Sequence, residues 1–66
     1  MSLREVIKAR RKVLGISQQD LAEMSGISLP TLKDIERGLA NQSLSTISKL
    51  LDVLGMEIVY RVRQKI

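Results

Sequence analysis

The chain has no cysteine and no histidine among its 66 residues, and Tyr60 is its single aromatic residue. Without cysteine it can form neither a disulfide nor a thiolate metal site. Without histidine it lacks the commonest general base and the commonest metal ligand. Neither a glycine-rich phosphate loop nor a carboxylate cluster is present. We therefore expect no catalytic residue, no metal, no cofactor and no enzymatic activity.

Long apolar runs are also missing, and the N-terminal sequence contains no signal-peptide core. A chain of this length forms at most one domain with a thin core, which usually needs a covalent staple or a partner. We expect a soluble cytoplasmic protein with no membrane partner.

Basic residues are in excess, with a net charge of +4, and they occur in two clusters. Such clusters suit a polyanion, because lysine and arginine displace condensed counterions from phosphates. An ordinary solvated basic surface explains the same pattern equally well. The first cluster is Arg4, Lys8, Arg10, Arg11 and Lys12, and the second is Arg61, Arg63 and Lys65.

Apolar residues recur at helical spacing in four segments. The first helix is predicted over about 3–14, ended by Gly15, and a fourth begins after the cap Ser43 and ends at Gly55. The apolar positions of these two helices are Leu3, Val6, Ile7, Val13 and Leu14, and then Leu44, Ile47, Leu50, Leu51 and Leu54.

The two middle helices, predicted over 17–24 and 28–37, are joined by a short turn that contains Gly26. Two short helices with such a turn are the layout of a helix-turn-helix. The second helix would then present its first turn to a DNA groove. We expect Met24 to pack in the core or in an interface, and the second helix to be fixed on the first by Leu21, Ala22, Ile27, Leu32 and Ile35.

After Gly55 the apolar period changes from helical to alternating, which predicts a β-strand. A lone strand leaves its backbone groups unpaired. The simplest partner is the same strand of a second copy, paired antiparallel across a two-fold axis. The alternative is a tail ordered only against its own helices. The predicted dimerisation residues are Met56, Ile58, Tyr60 and Val62.

The predicted fold is therefore all-α, with four helices and one C-terminal strand that pairs across a homodimer. Residues 1–55 form the helix-turn-helix domain, with the motif itself at about 17–37. Residues 56–66 form the dimerisation strand and a basic tail.

Four segments carry a family resemblance: 17–22 (SQQDLA), 26–28 (GIS), 31–32 (TL) and 35–38 (IERG). In this order and spacing they resemble the phage repressor and Cro-like helix-turn-helix family, also called the xenobiotic-response-element family. The resemblance covers about residues 3–55. The segment 55–62 resembles the C-terminal strand of HipB-like antitoxins, which repress toxin–antitoxin operons and dimerise through that strand.

The resemblance implies a role for each matching residue. The first turn of the recognition helix would contact base edges, while residues around it would contact phosphates. Arg11 would also tie the first helix to Glu36, and Gln18 would brace the recognition helix. The implied base contacts are Ser28, Leu29, Pro30, Thr31 and Lys33, and the implied phosphate contacts are Arg11, Gln18, Arg37, Asn41 and Gln42.

Leu29 and Pro30 depart from the polar residues often found at reading positions. They can touch a thymine methyl group but make no bidentate hydrogen bond, so groove shape would contribute more of the specificity. Asp34 must either point away from the phosphates or accept a hydrogen bond from a cytosine amino group.

The function implied is that of a dimeric, sequence-specific repressor of its own operon on a pseudo-palindromic, double-stranded operator. A further implication is an antitoxin that binds a HipA-like toxin protein. The alternative is a protein-interaction module, binding a toxin or polymerase, in which DNA contact is weak or secondary.

Overall fold

The computed structural model describes residues 2–39 and 41–64. Ala40 of the predicted loop and Lys65 of the second basic cluster lie outside these ranges, as do Met1 and Ile66. Four helices occupy the described part, as predicted, with ends close to the predicted ones. They are α1 (Leu3–Val13), α2 (Gln18–Ser25), α3 (Leu29–Arg37) and α4 (Leu44–Val53).

A serine caps the N-terminus of every one of these helices, and its hydroxyl accepts a backbone N–H three residues on. At α2 the Asp20 carboxylate also accepts the Ser17 N–H, at 3.1 Å, which completes a capping box. The Ser17 backbone N–H, and then its side chain, lower the pKa of Asp20 below its ordinary value of 3.8. Each helix is followed by a glycine with φ between 70° and 74°.

The hydrophobic core lies where α2 packs against both α3 and α4, and α1 packs on α3. Ile27 in the turn is half-buried against this core. The predicted packing of the second motif helix, α3, on the first motif helix, α2, is therefore confirmed. The core residues are Ile7, Leu21, Ala22, Leu32, Ile35, Ile47, Leu50, Leu51 and Leu54.

Several apolar positions of the predicted helices are exposed rather than buried. Val13 is 73%, Leu44 55%, Leu3 45% and Leu14 42% exposed, and Ile7 is the fully buried residue of α1. Since α1 packs mainly on α3, its buried face is narrow, and in the last turn of α1 that face carries Arg10 and Arg11 rather than Val13. Met24 is 63% exposed on the outer side of α2, so it is no core residue. Its alternative role in an interface stays a prediction.

Residues 56–64 form neither helix nor strand, so the predicted strand is absent from the described part of the single chain. Met56 is half-buried against the core, but Tyr60 is 77% exposed and Val62 is 91% exposed. A β-strand is defined by its hydrogen-bonded neighbour, which this segment lacks within the described ranges. Its pairing across a dimer stays a prediction.

Over residues 2–39 and 41–64, no helix combines the length and the apolar character needed to cross a membrane.

Candidate nucleic-acid interface

The turn between α2 and α3 reverses the chain at Gly26, whose φ of +74° is the left-handed conformation that favours glycine. The N–H groups of Gly26 and Ile27 both donate to the Ala22 carbonyl, at 3.0 and 3.2 Å. These bonds close α2 and lead directly into Ser28, the N-cap of α3. The turn therefore fixes the angle at which α3 leaves α2.

Exposed side chains occur at the N-cap of α3 and in its N-terminal half. Ser28, Pro30 and Lys33 are exposed, whereas Leu32 and Ile35 are buried. The Ser28 hydroxyl accepts the Thr31 N–H at 3.3 Å. It also donates to Thr31 Oγ1, at 2.8 Å. These bonds set both hydroxyl groups in a fixed position at the start of α3.

Leu29, predicted as a base contact, is half-buried and packs against the core. Pro30 beside it is exposed. The apolar surface at this turn is thus smaller than the sequence suggested, and its exposed residues are the polar Ser28 and the apolar Pro30.

A buried carboxylate joins α3 to α1 and α2. The Glu36 side chain is only 3% exposed. Glu36 Oε2 accepts Arg11 Nε–H at 2.9 Å, and Oε1 accepts Arg11 Nη2–H at 3.0 Å and Gln18 Nε2–H at 3.2 Å. The structure contains the predicted ion pair between Arg11 and Glu36. It also contains the predicted contact by which Gln18 supports the recognition helix α3.

Arg11 itself is 12% exposed, and its Nη1 donates to the Ile16 carbonyl at 3.1 Å. Three of its donors are thus engaged inside the protein, which favours the structural tie over the phosphate contact that the resemblance also implies. Gln18 remains half-buried at the start of α2, within reach of solvent.

The remaining predicted phosphate contacts follow α3. Arg37 is exposed and donates to the Asp34 carboxylate at 2.9 Å, so Asp34 is occupied on its own helix. Asn41 is exposed and Gln42 is half-buried. Asn41 and Gln42 line one groove of about 350 Å³ together with Gly38 and Arg4.

Two other arginines of the first basic cluster bind carbonyl groups at helix ends, and the sequence did not predict these contacts. Arg4 Nη1 donates to the Arg37 carbonyl at 3.1 Å, at the end of α3. Arg10 Nε donates to the Leu54 carbonyl at 3.0 Å, at the end of α4. Positive charge near a helix C-terminus is stabilising, because the helix dipole is negative there. This cluster therefore serves, in part, to join helix ends.

The predicted dimerisation residues lie away from α3. Met56, Ile58 and Tyr60 line an open groove of about 570 Å³ on the outer side of α4, and Leu44 and Leu51 contribute to it. Val62 is exposed beyond it.

The fold and the exposed first turn of α3 define a helix-turn-helix domain. The sequence profile of a helix-turn-helix family matches residues 7–61. The chain therefore belongs to the Cro/C1-type helix-turn-helix family, as the sequence pattern predicted.

Named relatives agree with this assignment. The chain is 43% identical over 53 residues to an uncharacterized HTH-type transcriptional regulator of Haemophilus influenzae, with 80% of the chain and 53% of that protein covered. It is 40% identical over 58 residues to the immunity repressor protein of Bacillus phage phi105, with 88% of the chain and 40% of that protein covered. The chain spans about half the length of the curated relatives it matches.

Among solved structures, the fold is similar to that of the restriction-modification controller protein C.AhdI from Aeromonas hydrophila. The TM-score is 0.79 and the sequence identity is 34%, with 83% of each chain covered.

Proposed function

We propose that this chain is a sequence-specific, double-stranded DNA-binding transcriptional regulator that acts as a homodimer. One observation carries the proposal: Ser28, Pro30 and Lys33 are exposed along the N-terminal half of α3, while Glu36 locks the C-terminal half of α3 to α1 and α2. A rigidly held helix with a free N-terminal turn is what docking in a major groove requires. The regulators and the phage repressor among its relatives support this function.

In this proposal, bases are contacted by Ser28, Pro30, Thr31 and Lys33, and phosphates by Gln18, Arg37, Asn41 and Gln42. Leu29 contributes by packing. The phosphate contacts set affinity and register, and the few base contacts set the sequence. Lys33 is exposed on α3 and is the cationic residue best placed to bind there.

The homodimer would place two copies of α3 in successive major grooves, about 34–36 Å apart, on a pseudo-palindromic operator. Its support is the apolar face of residues 56–62, which the described single chain leaves exposed beside the groove on α4. Occupying a promoter in this way would repress transcription of the protein's own operon.

An antitoxin role with a HipA-like toxin rests only on the resemblance of residues 55–62. The alternative, a protein-interaction module, depends on an apolar reading turn, and the half-buried Leu29 weakens that basis.

The DNA proposal is tested by titrating the protein against the duplex upstream of its own gene and against a shuffled duplex of equal composition. We expect preference for the upstream duplex. A reader with about 6–10 phosphate contacts loses roughly 10³–10⁵ in affinity from 50 to 200 mM salt. Equal affinity for both duplexes would contradict sequence-specific binding, and weak dependence on salt would favour the interaction module.

The dimer is tested with one substitution at two positions. Strand alternation places Val62 on the same face as Tyr60 and places Val59 on the opposite face; both valines are exposed, at 91% and 68%. We expect Val62→Asp to shift sedimentation toward the monomer, whereas Val59→Asp leaves the dimer intact. Equal effects of the two variants would contradict the pairing, and a monomeric wild-type protein would contradict the dimer.

A further inference from the structure

Arg4 crosses from α1 to the end of α3, 33 residues away in sequence. Its Nη1 donates to the Arg37 carbonyl at 3.1 Å, and the same side chain lies flat over Gly38. A Cβ atom at Gly38 would lie 2.9 Å from Arg4 Nη1 and 3.0 Å from Arg4 Cδ, distances that real Cβ atoms rarely or never show. The missing side chain at Gly38 therefore makes room for Arg4.

Gly38 is also where α3 ends and the following loop begins. Its N–H donates to the Ile35 carbonyl at 3.0 Å, and the Leu39 N–H donates to the Asp34 carbonyl at 2.9 Å. Arg4 binds a third carbonyl at this end of the helix, that of Arg37. The three bonds together fix the direction in which the chain leaves α3.

The position of this contact gives it a functional meaning. Arg4 and Gly38 line the same groove as Asn41 and Gln42, two of the proposed phosphate contacts. The C-terminal end of α3 carries the negative end of the helix dipole, which would repel a DNA phosphate nearby. The Arg4 guanidinium offsets that partial charge and joins the end of α3 to α1.

We propose that Arg4 is a positioning residue for DNA binding, which fixes the end of α3 and the groove residues Gly38, Asn41 and Gln42 without itself contacting DNA. This inference rests on the proposed function. Gly38 is part of the same contact, because a side chain at this position would displace Arg4.

The first test compares Arg4→Ala with Lys8→Ala, which removes the same charge from the next turn of α1. Lys8 is exposed, and no hydrogen bond or ion pair of its side chain is found among residues 2–39 and 41–64. We expect Arg4→Ala to weaken binding to the upstream duplex about three- to tenfold with an unchanged salt slope, because one positioning hydrogen bond but no phosphate contact is lost. Arg4→Lys should restore part of the affinity.

A salt slope reduced by about one in Arg4→Ala, but not in Lys8→Ala, would instead show a direct phosphate contact and overturn the positioning role. Unchanged affinity in Arg4→Ala would overturn it as well.

The second test uses matched glycines. Gly38→Ala and Gly15→Ala carry similar backbone strain, since their φ angles are +74° and +70°, but a Cβ atom at Gly15 would meet no described atom within 4 Å. Gly38→Ala should weaken DNA binding several-fold more than Gly15→Ala, and the excess should vanish when Arg4 is alanine. An excess that persists in the Arg4→Ala background would contradict the coupling.

Amide hydrogen exchange in the free protein separates this inference from the proposed function. In Arg4→Ala we expect the Gly38 and Leu39 amides to exchange about two- to tenfold faster, since an ordinary hydrogen bond is worth about that factor. The Gly26 amide, which ends α2, should be unchanged. Unchanged exchange at Leu39 would overturn the clamp, whereas a wild-type protein that binds no DNA would overturn the proposed function and, with it, the role of Arg4 in binding.

Discussion

Replacing Arg11 by methionine should destabilise the domain severely. The substitution keeps an unbranched apolar stem but removes two of the three hydrogen bonds to Glu36, at 2.9 and 3.0 Å. It leaves a carboxylate that is 3% exposed with only the bond from Gln18. Removing one partner of a buried ion pair costs about 3–5 kcal/mol, because the remaining charge is uncompensated.

That loss is large for a domain of this size. At about 0.05–0.15 kcal/mol per residue, the total free energy of unfolding is roughly 3–10 kcal/mol. Arg11→Met should therefore lie close to the point of unfolding at room temperature. Urea titration followed by circular dichroism at pH 7 measures the change directly.

The double variant Arg11→Met with Glu36→Leu is the matched control. Well-packed apolar residues often replace a buried ion pair at no net cost. We expect the double variant to recover most of the lost free energy. A loss below about 1 kcal/mol in the single variant, the value of an exposed pair, would refute this reasoning. So would a double variant no more stable than the single one.

Three further predictions concern caps and core. Because the pKa of Asp20 is lowered in the folded protein, its carboxylate stabilises the fold above about pH 3.8, and this contribution is lost as the pH falls through the pKa of the folded state. The urea midpoints of the wild type and of Asp20→Asn should therefore converge below pH 3.8. A difference between the two midpoints that stays constant with pH would contradict the capping-box origin of the stabilisation. Leu50→Ala, at a side chain with no exposure, should cost about 2–5 kcal/mol of unfolding free energy. Val13→Ala, at an exposed position, should cost less than about 0.5 kcal/mol. Similar losses in the two variants would show that Leu50 is not part of the core. Ser28→Asp should keep the N-cap and the stability yet weaken DNA binding through repulsion of phosphates; unchanged affinity would show that this turn does not face DNA.

Local signals in the sequence predicted the helices well. Ser17, Ser28 and Ser43 each precede a helix, and each helix ends before a glycine whose φ is positive. Capping and left-handed glycine act within four residues, so a single sequence contains all the information they need. The same holds for the period that identified Leu21 and Leu32 as core.

Long-range contacts could not be predicted in this way. Nothing local shows that Arg4 reaches the Arg37 carbonyl or that Arg10 reaches the Leu54 carbonyl, 44 residues away. The positive charge of α1 therefore suggests a surface that binds a polyanion, although Arg4 and Arg10 use their side chains to join helix ends. Periodicity places Val13 on the apolar face of α1, but it does not give the extent of the element packed against that face.

The strand predicted in the C-terminal segment depends on more than the sequence of one chain. Alternation at Ile58, Tyr60 and Val62 predicts strand geometry, but a strand also needs a neighbour, and the neighbour is another copy in our proposal.

The central claim, that the first turn of α3 contacts DNA, is tested most directly by following backbone amide resonances while the upstream duplex is added. We predict the largest changes at Ser28, Thr31 and Lys33, with smaller ones at Gln18 and residues 37–42, and little change at the buried Leu50 amide. Changes confined to residues 44–60, around the groove on α4, would contradict the claim and identify that groove as the binding surface.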